Sequence, residues 1–94
     1  MARSTHHPSY QTLLTFLREL RERAGVTQLA LAESLGNTQT FISKIERGER
    51  RIDVVEFVEI CDALGVDPVV SFREFLKRRA LLERRSNKLG RHSV

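Results

Sequence analysis

One cysteine among 94 residues, Cys61, leaves nothing to pair with in a disulfide. A cross-linked scaffold is therefore excluded, and a single thiol suits a reducing compartment. No apolar run approaches the ~20 residues of a membrane span, and the N-terminal stretch lacks the hydrophobic segment of a secretory signal. A cytoplasmic protein is expected. Also missing are a glycine-rich phosphate loop, a Ser/His/acid or Cys/His arrangement, and any His, Cys and acid group at ligand spacing. His6 and His7 are adjacent but have no such partners, so they do not make a metal site. No enzyme, no metal and no cofactor is expected.

What is present is one domain's worth of ordinary globular chain, 40% hydrophobic and 30% charged. The formal charge of +4 is unevenly spread. Residues 73–94 hold eight basic and two acidic side chains, whereas residues 1–72 hold eight basic and ten acidic ones. The alkaline character thus belongs to the C-terminal part. Within the first part a smaller basic group stands out, Lys44, Arg47, Arg50 and Arg51, followed by a helix carrying Asp53, Glu56, Glu59 and Asp62.

The periodicity is helical throughout. Leu13, Phe16, Leu17, Leu20 and Ala24 form an apolar stripe from about residue 9, with Gly25 as its stop. Thr27 caps a short second helix that closes at Gly36, where a turn needs positive φ. Thr38 caps a third helix over 38–47, stopped by Gly48. Ile42 and Ile45 face its core side, joined by Leu31 and Leu35 from the second helix, with Ala32 at the crossing. Gln39, Thr40, Ser43 and Lys44 fall on the outer side. Phe41 is read as partly buried, either beside the fourth helix or against a bound partner. Asp53 and Glu56 make a capping box for a fourth helix, whose stripe is Val54, Phe57, Val58, Cys61 and Leu64. Cys61 is thus a small core residue rather than a reactive thiol. Asp67 and Pro68 start a fifth helix, with Val69, Phe72, Phe75, Leu76 and Ala80 on one face, reaching about Arg84.

Two short helices joined by a Gly-containing turn describe a helix-turn-helix, whose second helix enters the major groove. The spaced run Leu17, Leu20, Arg21, Gly25-Val26-Thr27-Gln28, Leu31-Ala32, Leu35-Gly36, Ile42-Ser43-Lys44-Ile45-Glu46-Arg47-Gly48-Glu49-Arg50 and Leu64-Gly65-Val66-Asp67-Pro68 resembles the Cro/CI-type (XRE-like) regulators. The likeness covers residues 13 to 70. Two positions depart from it: Asn37, where a small apolar residue is usual, and Leu29, where a polar one is. Leu29 is expected to be exposed.

The resemblance implies an all-α, four- to five-helix bundle of the lambda-repressor-like type. A DNA-binding domain is expected over residues 9–70. A C-terminal helix over 71–85 extends from it, and residues 1–8 and 86–94 form flexible ends. It implies an ion pair between Arg21 and Glu46, and a Gln28 that meets backbone phosphate and braces Gln39. Gln39, Thr40, Ser43 and Lys44 are then the base-reading set, suited to adenine, guanine and thymine edges. Thr27, Gln28, Thr38, Arg47, Arg50 and Arg51 are assigned to the DNA backbone.

The expected partner is double-stranded DNA, read at an inverted repeat by a homodimer that acts as a repressor. Phe72, Phe75 and Leu76 are its candidate dimer face. Two other readings compete. An antitoxin-like module would use the fifth helix and tail to mask a toxin and bind DNA to regulate itself. Charge-driven binding through the basic tail would survive loss of Gln39 and Lys44. No effector ligand is expected in so small a unit.

Overall fold

The computed structural model describes residues 7–88. They form five helices, α1 (Pro8–Arg23), α2 (Gln28–Ser34), α3 (Gln39–Glu46), α4 (Val54–Leu64) and α5 (Pro68–Lys88), with no strand among them. Of the expected flexible ends, residues 1–6 and 89–94 lie outside the described residues, whereas Pro8 begins α1 and residues 86–88 continue α5. None of the described helices is long and apolar enough to cross a membrane.

Local chemistry sets the helix ends. Thr27 accepts from the Ala30 N–H at 3.0 Å and Thr38 from the Phe41 N–H at 3.2 Å, each satisfying a donor with no intrahelical partner. The capping box at α4 is complete: Asp53 accepts from the Glu56 N–H, and Glu56 accepts from the Asp53 N–H. At α5 Asp67 accepts from the Val69 N–H at 2.8 Å, with Pro68 in the first helical position. His7 caps α1, its Nδ1 accepting from the Ser9 N–H at 3.0 Å. Half of the histidine pair is thus spent on a helix end.

The C-terminal ends of α1 to α4 share one device. At α2 the Asn37 N–H donates to the Ala32 carbonyl and the Gly36 N–H to the Glu33 carbonyl, a Schellman pair. Gly36 makes it possible with φ of +66°, and a Cβ there would meet open space, so the constraint is conformational rather than steric. Asn37 suits the turn as a polar residue, because its Oδ1 accepts from the Thr38 N–H at 2.9 Å.

The packing follows from these ends. α2 lies on α3, and α1 runs behind α3; α5 returns across α1 and α4. Phe16, Ala32 and Cys61 are wholly enclosed, and Leu31, Ile42 and Ile45 form the seam of the α2–α3 pair. α5 is also tied to α1 by Arg78, which reaches Glu19 at 2.7 Å and lies over the Phe16 ring.

Three sequence expectations are corrected. On α1 the buried set includes Leu14, while Ala24 is the exposed C-cap beyond the last turn. α4 is rolled relative to its expected stripe: Phe57, Ile60, Cys61 and Leu64 face inward, whereas Val54 is 78% exposed and Val58 is also outside. The helix is apolar over so wide an arc that periodicity allows either roll, and contact with α2 and α5 selects one. α5 runs past Arg84 to Lys88, sustained by i,i+4 pairs such as Arg79–Glu83 and by the lack of a breaker before Gly90.

The α2–α3 crossing gives a direct test. Ala32→Leu is expected to destabilise by about 1–3 kcal/mol, because the added methylenes have no space to enter. Leu29→Ser, at an exposed position of the same helix, should stay within about 0.5 kcal/mol of wild type. Urea denaturation of the two variants checks both.

Candidate nucleic-acid interface

The centre of the site is a guanidinium–carboxylate fork. Arg21 on α1 donates through Nε to Glu46 Oε2 at 2.6 Å and through Nη2 to Oε1 at 3.0 Å; its Nη1 donates to the Val26 carbonyl. Both side chains are about nine-tenths covered. Burial works to raise the Glu46 carboxyl, but hydrogen bonds from Arg21 and Gln28 outweigh it and hold the group below its ordinary value. The bond to Glu46 in turn raises Arg21. Because Glu46 ends α3 and Arg21 lies in the last turn of α1, the fork sets how α3 is angled on the bundle.

A second contact carries this constraint outward. Gln28, the first residue of α2, donates through Nε2 to Glu46 Oε1 at 2.9 Å, and its Oε1 accepts from Gln39 Nε2 at 3.4 Å. Core ion pair, α2 and the first residue of α3 thus form one polar chain. Gln39, Thr40 and Lys44 are exposed along the outer face of α3, and Ser43 is partly covered between them.

The basic residues differ in what holds them. Arg47 faces Glu49 with a full fork, Nε to Oε2 at 2.9 Å and Nη2 to Oε1 at 3.1 Å, and its Nη1 donates to Ser43 Oγ. Arg50 is similarly matched to Glu56, at 3.0 and 2.9 Å, and stacks over the Phe41 ring. Phe41 is therefore partly buried, packed on the core and covered by an arginine. Arg51 lies over the Tyr10 ring, whose hydroxyl accepts from the Ile52 N–H at 3.0 Å. Lys44 is the exposed cation at the middle of the face.

The arrangement can meet a duplex: a short helix with donors and acceptors along its outer side, followed by guanidinium groups of the kind that contact phosphate. The helix-turn-helix family matches residues 17–70, from the middle of α1 to the start of α5. The chain belongs to the XRE-type helix-turn-helix family. It is similar to an XRE-family like protein from Pseudomonas syringae pv. tomato str. DC3000, with 42% identity over 81% of this chain and 93% of that one, at a TM-score of 0.74. It is also similar to the clp gene regulator ClgR from Corynebacterium glutamicum, with 26% identity over 84% of each chain, at a TM-score of 0.71. No curated protein matches the chain. As an XRE-family member the protein is a DNA-binding transcription regulator.

Three residues around the interface carry no signal in the sequence for the contacts they make. Glu49 occupies the Arg47 fork, yet an i,i+2 pair after a glycine has no periodic signature. Glu56 is legible as a cap but not as the partner of Arg50. Tyr10 reaches the α3–α4 loop from 42 residues away, which no local pattern records. On α5, Phe72 and Leu76 are exposed, while Phe75 turns inward and is partly buried against the core.

The fork generates a stability prediction. Glu46→Ala should cost about 3 kcal/mol or more by leaving Arg21 charged and covered without its partner, whereas Arg21→Met combined with Glu46→Leu should cost much less. Because the Glu46 pKa is lowered on folding, its contribution is complete above the unfolded value of about 4.3 and is lost as pH falls through the lower folded value. Urea melts between neutral and acid pH should therefore show a smaller loss of stability on acidification in Glu46→Gln than in wild type.

Proposed function

We propose that this XRE-family regulator is a cytoplasmic repressor that reads an inverted-repeat operator as a homodimer, with Gln39, Thr40, Ser43 and Lys44 meeting base edges. The observation that carries the reading is the polar chain from Arg21 and Glu46 through Gln28 to Gln39. The chain links a surface glutamine at the start of α3 to the covered ion pair. Gln39 held in this way is presented as a preset fork for adenine, while Lys44 can donate to guanine and the Thr40 methyl can meet thymine. Thr27, Gln28, Thr38, Arg47 and Arg51 lie around this set and supply phosphate contacts. Arg50, matched to Glu56, contributes charge while holding the loop in place.

A single α3 spans only a few base pairs, so useful selectivity requires two copies, with half-sites about one helical turn apart. The surface suited to pairing is an open apolar groove of about 450 Å³ between the N-terminal halves of α4 and α5, lined by Leu13, Val54, Phe57, Val58, Val69 and Phe72 among others. Phe72 stands at its edge, packed edge-on to Phe57 with ring centroids 6.0 Å apart. Val54, Val69 and Phe72, all exposed, line this groove, and Leu76 is exposed one helical turn beyond Phe72. Repression follows where the operator overlaps a promoter.

Selection of duplexes from a randomised library should enrich an inverted repeat. Gln39→Ala with Lys44→Ala should abolish that enrichment while reducing affinity for random duplex far less. Enrichment of nothing, with only salt-sensitive binding to every duplex, would refute base reading by α3. Separately, Phe72→Glu is expected to shift the protein to a monomer in sedimentation velocity and to weaken operator binding by about tenfold or more; a wild-type monomer at high micromolar concentration removes the homodimer from the proposal.

A further inference from the structure

The acid within the basic face calls for an explanation. Glu49 lies two residues beyond Arg47, the C-cap of the recognition helix, in a region where carboxylates oppose phosphate. Its position is built by the backbone: the Glu49 N–H donates to the Lys44 carbonyl at 2.8 Å and the Gly48 N–H to the Ile45 carbonyl at 3.0 Å, the Schellman end of α3. This closure returns the Glu49 side chain alongside the helix it has just left. There its two oxygens meet Nε and Nη2 of Arg47 in the same side-by-side geometry that a guanidinium uses on two phosphate oxygens. The third arm of Arg47 goes to Ser43, one of the base-reading set.

The pair differs from the other two arginine–glutamate forks of the site. Arg21–Glu46 is covered, and Glu56 of the Arg50 pair is fixed by its capping box and largely covered as well. Arg47 and Glu49 are each more than half exposed. An exposed pair is readily exchanged in water, so phosphate can replace Glu49 where it could not replace Glu46.

We propose that Glu49 is an internal competitor for the Arg47 guanidinium, which holds it away from any passing phosphate and so lowers sequence-independent affinity for DNA. This inference rests on the DNA-reading role of α3 and adds a positioning residue for its specificity. Any duplex offers phosphates, but only one that also satisfies Gln39, Thr40, Ser43 and Lys44 regains what exchange of the pair costs. Ser43 is released in the same event, because the arm of Arg47 that it accepts leaves with the fork.

The test is Glu49→Gln, which keeps size, backbone and closure but removes the charge, measured by fluorescence anisotropy on a short labelled duplex of random sequence across a salt series. One additional phosphate-neutralising charge steepens the dependence of log affinity on log salt by about 0.9, which between 1 M and about 0.15 M is roughly a fivefold gain. The expected result is that gain in the Arg47 background and less than about twofold when Arg47→Ala is also present. Unchanged or weaker binding by Glu49→Gln overturns the proposal, and so does an equal gain with and without Arg47, which would make Glu49 a general negative charge. Failure of the wild-type protein to enrich any duplex from a randomised library would instead refute the DNA-reading role itself. An unshifted thermal midpoint for Glu49→Gln, expected for an exposed pair, shows that the readout is binding and not folding.

Discussion

The buried fork between Arg21 and Glu46 is the contact on which the geometry of this regulator depends. It joins the last turn of α1 to the last residue of α3, and its third arm reaches the Val26 carbonyl in the connection to α2. Three elements thus meet at one guanidinium. A pair this well covered is weak evidence of net stabilisation, since desolvation offsets most of the attraction. Its value lies in geometry. An apolar replacement could hold α1 to α3 but could not present an oxygen to Gln28, and without that oxygen nothing orients the side chain that meets Gln39. Stability and orientation are therefore separable here, with the apolar seam of Leu31, Ile42 and Ile45 supplying the first and the polar chain the second.

The helix ends show how a short bundle can position a reading face without long elements. α2 and α3 have seven and eight residues, too few to be stable alone. Both are closed at the front by threonine and at the back by a glycine-based Schellman pair, so most of the backbone groups that a short helix leaves exposed are satisfied locally. The same closures steer the next stretch of chain. After α2 the closure leads through Asn37 to the cap of α3; after α3 it brings Glu49 and Arg50 back alongside the helix. The backbone that carries the cations after α3 is consequently fixed by hydrogen bonds to the helix's last turn.

These local devices are also what could be read from the sequence. Thr27, Thr38 and Asp53 as caps, Gly36 and Gly48 as stops, and Asp67-Pro68 as a start are chemistry within a few residues, and each element begins or ends where that chemistry puts it. Less legible is which side of an element faces inward. The sequence of α4 is apolar over most of its circumference, so Val54 and Val58 look as suitable for the core as Ile60. Only the packing of α2 and α5 distinguishes them, and neither contact is recorded in the local sequence of α4. The Arg21–Glu46 link, 25 residues apart, came from family resemblance, since spacing carries no trace of it. Contacts such as Tyr10 with Ile52, or Glu56 with Arg50, need three dimensions.

Charge distribution bears on how the parts divide the work of binding. Around α3 the cations Arg47 and Arg50 are each matched by a carboxylate, and residues 1–72 carry more acid than base. Such a face draws weakly on the counterion release that drives sequence-independent binding. The excess positive charge lies on α5 and beyond, in residues 73–94, where Arg73, Lys77 and Arg84 are exposed on the side of the helix away from the core. Long-range attraction and short-range reading are thereby assigned to different elements. A protein that concentrated its cations around α3 would hold every duplex tightly and discriminate poorly, because phosphate contacts are the same at every sequence. In the proposed reading the matched arginines leave discrimination to Gln39, Thr40, Ser43 and Lys44, and the energy that four side chains can add from one half-site is small. That arithmetic favours two reading helices over one, and it is the physical reason why the proposed reading ties the exposed apolar groove on α4 and α5 to DNA recognition.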